Sequence, residues 1–152
     1  MTDDDVYISE SAVALITEMG DRAHPVETGG VLMGVRAGAR LWITHAAELT
    51  TGDRGPASYR LPAKATRRTI RKYREQDVRL GYLGDWHSHP MDVGASGTDV
   101  RTSRATARSL GRNVLLLVAR RRSGSYALDL LEATASEVMP RRIVLTGDLV
   151  TI

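Results

Sequence analysis

Apolar and polar positions along this chain alternate between the two-residue period of strands and the three-to-four-residue period of helices. Val6 to Ile8 reads as a short first strand. Ser9 or Ser11 caps a helix running to about Arg22, with Val13, Leu15, Ile16 and Met19 as its apolar stripe, and His24-Pro25 ends it. Gly30 to Gly34 reads as a buried strand, Arg36 to Gly38 as a turn, and Ala39 to Ala47 as the hairpin partner. Thr50 to Pro56, rich in Gly, Asp and Pro, is a loop. Lys64 to Gln76 is a helix with Ile70 and Tyr73 three apart on one side, and Val78 to Trp86 is a strand. Thr98 to Leu110 is a helix with Ala and Val on one face. Val114 to Ala119 and Tyr126 to Leu131 form a hairpin around Arg121-Arg122-Ser123-Gly124, and Val138 to Leu145 and Leu149 to Ile152 add terminal strands. Strands dominate beside three helices, so the class is mixed α/β. No repeat, low-complexity tract or composition break marks a linker, so residues 1–152 are expected to form a single domain with a sizeable core.

Composition narrows the chemistry. The absence of cysteine excludes disulfides and thiolate metal sites, so any zinc must be held by nitrogen and oxygen. The start, Met-Thr-Asp-Asp-Asp, lacks the basic and apolar regions of a signal peptide. The longest apolar stretch, Val114 to Ala119, is strand-sized, far below the roughly 20 residues of a membrane span. A soluble cytoplasmic protein is expected, with no membrane partner. The net charge of +3 is mild, but its basic residues, nearly all arginine, cluster. Lys64, Arg67, Arg68, Arg71, Lys72 and Arg74 fall in one helix, and Arg120, Arg121 and Arg122 at one hairpin. They read first as a solvated helix face and hairpin tip, with nucleic acid not expected as a partner; the other reading is an electropositive surface for an acidic partner or nucleic acid.

The segment Trp86-His87-Ser88-His89-Pro90, followed by Ser96-Gly97-Thr98-Asp99, holds the candidate chemistry. In extended backbone, residues two apart share a side, so His87 and His89 can converge on one ion while Ser88 points away. A catalytic zinc takes three protein ligands and keeps one position open, and His87, His89 and Asp99 supply three. The open position then holds a water made acidic at neutral pH, and an acid–base group must move its proton; Glu27 is the candidate. Each residue also has a plainer role. Ser-x-x-Asp before a helix is a capping pattern, compatible with ligation because the cap fixes the direction of the Asp99 carboxylate. Glu27 would be an ordinary exposed carboxylate but for the following Gly29-Gly30, which permits close approach of backbone or substrate. His24 and His45 read as surface or core histidines and Trp86 as core. Asp85 and Asp92 flank the ligands as possible acceptors for an imidazole N–H.

The ordered set Glu27-Thr28-Gly29-Gly30, His87-Ser88-His89-Pro90 and Ser96-Gly97-Thr98-Asp99 resembles the JAB/MPN (JAMM) metalloproteases, over roughly residues 27 to 110. Each piece alone is weak; the ordered set is strong. The family usually places seven residues between the second His and the Ser, with a proline before the Ser. Here there are six, and Ala95 stands in the proline's place. The resemblance implies a curved mixed sheet flanked by helices, similar to cytidine deaminases, and a zinc cofactor on His87, His89 and Asp99. It implies Glu27 as general base and Ser96 as hydrogen-bond donor to the substrate oxyanion. It also implies a peptidase or isopeptidase acting after the C-terminus of a ubiquitin-like protein, with ubiquitin-activating or conjugating-type enzymes as further partners. The arginine-rich, compact chain looks bacterial and stand-alone. Processing of a sulfur-carrier protein by the same chemistry is one alternative. A non-catalytic scaffold or nucleic-acid-associated module is the other; the complete ligand set argues against a dead scaffold.

Overall fold

In a computed structural model, the described residues are 5–49 and 63–148; the expected loop at 50–56 and strand at 149–152 lie outside them. The elements run β1 (Asp5–Ser9), α1 (Glu10–Ala23), β2 (Gly29–Ala37), β3 (Arg40–Glu48), α2 (Ala63–Gln76), β4 (Gly81–His89), α3 (Gly97–Leu110), β5 (Val114–Arg122), β6 (Ser125–Ala133) and β7 (Val138–Thr146). The mixed α/β class and the three helices match the sequence pattern.

The expected open sheet does not. The strands close into a barrel in the order β1-β3-β2-β4-β5-β6-β7, rather than forming a curved sheet with helices on its faces. Closure depends on the five residues of β1, which pair in parallel with β3 on one side and β7 on the other. Parallel partners need a long crossover between them, so no local turn signal announces this seam. Arg142 crosses it, donating from Nε to Asp5 Oδ1 at 2.8 Å.

α1 forms where expected because Ser9 closes its first turn. The Ser9 hydroxyl oxygen accepts from Ala12 N and its hydrogen goes to Thr44 O at 2.8 Å. The stripe of Val13, Leu15, Ile16 and Met19 packs into a core built from Val6, Ile8, Leu32, Ile43, Trp86, Leu115 and Leu117. Ile16 and Trp86 are buried, and truncating a side chain such as Ile16 to alanine typically costs about 2–5 kcal/mol. A second cluster lies on the other side of the sheet. There Val31, Met33, Leu80 and Tyr82 receive Ala65, Ile70 and Tyr73 of α2, leaving the helix's basic residues outside.

Several boundaries move for local reasons. β4 begins at Gly81, not Val78, because Asp77 turns the chain: its carboxylate accepts from Arg79 N at 3.0 Å, and Val78 is 81 % exposed. The β2–β3 turn sits at residues 38–39, one step beyond the expected one. The β5–β6 turn is the pair Ser123 (φ 52°) and Gly124 (φ 79°), a backbone suited to a two-residue hairpin. Arg120, Arg121 and Arg122 are therefore strand residues and not a tip. Gly84, at φ 156°, is required where β4 crosses β5, since a Cβ there would lie 2.0 Å from Leu115 O.

No helix among the described residues is long and apolar enough to cross a membrane.

Candidate metal centre

β4 runs beside β2 with Gly29 opposite His87, so the chain just before β2 lies next to His89. Two hydrogen bonds extend this pairing past the ladder. Ser88 N donates to Thr28 O at 2.8 Å, and Thr28 N donates to Ser88 Oγ at 3.1 Å. Ser88 does point away from its histidine neighbours, as alternation requires. In doing so it fixes the residue that follows Glu27. The close approach expected at Gly29-Gly30 is real and is made by backbone: a Cβ on Gly30 would stand 1.7 Å from Ala47 O.

His87 and His89 project to one side of β4 with ring centroids 4.7 Å apart and Nε2 atoms 3.0 Å apart. Asp99 Oδ2 lies 3.3 Å from His87 Nε2 and 3.6 Å from His89 Nε2. The point equidistant from three atoms so spaced is about 1.9 Å from each, beside the roughly 2.0–2.2 Å of zinc–nitrogen and zinc–oxygen bonds. The three residues fit a metal ion of that size. The donor set of two imidazoles and one carboxylate also suits zinc. His89 Nδ1 meets Val93 O at 2.7 Å. A carbonyl only accepts, so Nδ1 carries the hydrogen, and in the neutral ring Nε2 has the lone pair available to a metal ion.

Asp99 reaches this position because it opens α3. Ser96 Oγ accepts from Asp99 N at 3.1 Å, and Asp99 Oδ2 accepts from Ser96 N at 2.8 Å, a complete reciprocal cap. The oxygen that closes the cap is therefore the one that faces both histidines. Burial works against the Asp99 charge, but hydrogen bonds from His87 and His89 more than offset it and hold the carboxyl well below its usual range. The bond that Asp99 accepts from His89 in turn raises the His89 pKa.

Glu27 is 7 % exposed, with Oε1 3.5 Å from His89 Nε2. Burial raises its pKa, and the two histidines pull it back in part. A carboxyl with its pKa raised in this way, beside His89, has the character of a proton carrier. Ser96 is exposed at the rim, and since its oxygen accepts from Asp99 N, its hydrogen is free to donate elsewhere.

The flanking acids take other partners. Asp92 accepts from Arg120 Nη1, and Arg120 Nε donates to Asp129 at 2.8 Å, which ties the loop between His89 and Ser96 to β5 and β6. Asp85 accepts from Tyr82 at 2.7 Å, and burial lifts it to about 6. The acceptor that orients His89 is thus a backbone carbonyl, which no side-chain pattern reveals. His24 is exposed; His45 is partly buried, bonded to Thr44 and packed against the Tyr73 ring.

A family model described as prokaryotic homologs of the JAB domain matches residues 9–131. The solution structure of protein DSY2949 from Desulfitobacterium hafniense is 18 % identical and superposes with a TM-score of 0.78, covering 95 % of this chain and 94 % of its own. At that identity the likeness speaks for the fold. No curated protein matches the chain.

Proposed function

The chain belongs to the prokaryotic homologs of the JAB domain, and from that premise we propose that it is a zinc-dependent peptidase or isopeptidase. Its proposed substrate is the bond after the C-terminus of a ubiquitin-like protein. The observation that carries the catalytic part is the convergence of Glu27 on the side of the His87, His89 and Asp99 cluster, with Oε1 3.5 Å from His89 Nε2.

A zinc ion held by His87, His89 and Asp99 would supply Lewis-acid polarisation of the scissile carbonyl and bring the pKa of water towards neutrality. Glu27 takes the proton of the attacking water and returns it to the leaving amine, a step suited to a buried carboxyl whose pKa is raised. Ser96 donates its free hydrogen to the oxyanion that forms as water adds. Val93 O holds His89 in the tautomer that binds metal, and Ser88 holds Thr28 and with it the Glu27 segment. The ubiquitin-like substrate rests on the resemblance of the ordered motifs. An extended tail ending in small residues would suit a narrow approach between the Glu27 segment and the His89–Ser96 loop.

The test uses a ubiquitin-like protein ending in Gly-Gly, fused through its C-terminus to a reporter, and a sulfur-carrier protein fused in the same way. Wild-type protein should bind about one zinc per chain and cleave one fusion, and a chelator should stop it. Glu27→Gln should keep the zinc and lose about 10²–10⁴-fold in turnover. His87→Ala and Asp99→Ala should lose the zinc. Full zinc in both ligand variants would overturn the metal assignment, near-normal turnover in Glu27→Gln would overturn the base, and cleavage of the sulfur-carrier fusion alone would move the substrate.

A further inference from the structure

Among the described residues, seven arginines pair with acids: Arg22 with Glu18, Arg79 with Asp77, Arg120 with Asp92 and Asp129, Arg121 with Asp21, Arg122 with Asp92, Arg141 with Glu132, and Arg142 with Asp5. α2 gathers cations that do not. Lys64, Arg67, Arg68, Arg71 and Lys72 are exposed, and none forms an ion pair among the described residues. Arg74 adds a sixth cation, spending one N–H on Leu80 O. At 100° per residue the six cover an arc of about 160° on one side of the helix. Glu75 is the one acid within that arc, and it too has no ion pair among the described residues. The apolar residues Ala65, Ile70 and Tyr73 are on the other side, packed on the sheet.

We propose that this face of α2 binds the phosphate backbone of a double-stranded nucleic acid, a function separate from the metal centre. A protein partner would be expected to bury apolar or aromatic anchors at the middle of its interface, and this face offers only the half-buried Ile70 at its edge, beside Arg67, Arg71 and Arg74. A single strand would need aromatic rings to stack its bases, and the arc carries none of those. What it does present is a row of cations about 15 Å long, from Lys64 to Arg74. Duplex DNA carries one charge per roughly 1.7 Å, so about nine phosphates pass along that length. Cations directed at the phosphate backbone predict binding that is independent of sequence and strongly dependent on salt.

The experiment titrates the whole protein into a fluorescein-labelled 20-base-pair DNA duplex of arbitrary sequence at several salt concentrations. Five neutralised phosphates give a slope of log K against log salt near −4.5, hence about 500-fold weaker binding at 200 mM than at 50 mM. The triple variant Arg67→Gln, Arg68→Gln, Arg71→Gln should flatten the slope to about −2, with circular dichroism and zinc content unchanged. If the triple variant fails to fold, Lys64→Gln with Lys72→Gln should flatten it to about −3. Unchanged affinity and slope in a folded variant would overturn the proposal. So would displacement of the labelled duplex by polyglutamate as effective, charge for charge, as by unlabelled duplex, which would assign the face to an acidic protein.

Discussion

Ser96 caps α3, and the oxyanion role proposed for it is separable from that cap by substitution. Its oxygen accepts from Asp99 N at 3.1 Å, while its hydrogen has no partner within the cap. Ser96→Ala deletes both groups but leaves the second half of the cap, Ser96 N to Asp99 Oδ2 at 2.8 Å, because that bond uses backbone. Loss of an N-cap side chain to alanine costs about 0.5–2 kcal/mol. For a chain of this size that lowers Tm by about 1–8 °C. Loss of an oxyanion donor costs more in the transition state, about 10²–10³-fold in kcat. Glycine separates the two, because as an N-cap it is only a few tenths of a kcal/mol worse than serine, yet it cannot donate from a side chain. Ser96→Gly should therefore melt close to wild type and still lose about 10²–10³-fold in kcat. Ser96→Thr, which both caps and donates, should restore most of the activity. The assay is single-turnover cleavage of the reporter fusion beside a thermal melt on the same preparations, with zinc content as the control that Asp99 has not moved. A Ser96→Gly protein with wild-type kcat would refute the oxyanion role and leave Ser96 as a cap.

Three further outcomes follow from neighbouring contacts. Asp99→Asn keeps an oxygen for Ser96 N but loses the charge, so it should melt near wild type yet bind zinc more than about 100-fold more weakly, read by competition with a chromogenic chelator; Asp99→Ala should lose stability as well. Ser88→Ala leaves the buried Thr28 N without its acceptor, which should cost about 1–3 kcal/mol in denaturant unfolding and lower kcat while zinc stays bound. Arg120→Met releases Asp129 and leaves Asp92 only the longer contact with Arg122 at 3.6 Å, so protease should cut the 90–96 loop faster and kcat should fall, with β5 and β6 intact by circular dichroism.

The sequence makes local geometry visible and hides what depends on distant partners. Ser9, the α1 stripe and the α2 apolar pair Ile70 and Tyr73 were legible because period and capping chemistry act within one or two turns. The convergence of His87 and His89 followed from strand alternation, and the nearness of Asp99 from the ordered motif. Barrel closure was not legible, because β1 owes its place to β7, which pairs Asp5 with Arg142 across almost the whole chain. The start of β4 was misplaced because Val78 looks like a strand residue, yet Asp77 spends its carboxylate on a turn that leaves Val78 in solvent. Asp85 and Asp92 were reasonable acceptors for an imidazole by spacing, but each is satisfied by a residue that only the fold brings near, Tyr82 in one case and Arg120 in the other. The carbonyl of Val93 has no side-chain signature at all.

That carbonyl also explains how a loop one residue shorter than the family's usual spacing still brings Asp99 beside both histidines. The segment from Pro90 to Ala95 must turn from the end of β4 to the first turn of α3 while keeping Asp99 Oδ2 within 3.3–3.6 Å of both imidazoles. Three anchors divide the task. Val93 N closes a tight turn on Met91 O at 2.9 Å, and Val93 O accepts from His89, so the loop's middle is fixed by His89 itself. Arg120, opposite His89 in the β4–β5 register, draws Asp92 outward and shares its guanidinium with Asp129. Gly94 then passes Asp129, where a Cβ would stand 3.3 Å from the carboxylate. The helix cap sets the remaining direction, since Ser96 N and the two histidines all address one Asp99 oxygen. A missing residue is absorbed by the turn before the cap, and the position of the Asp99 carboxylate is set after it.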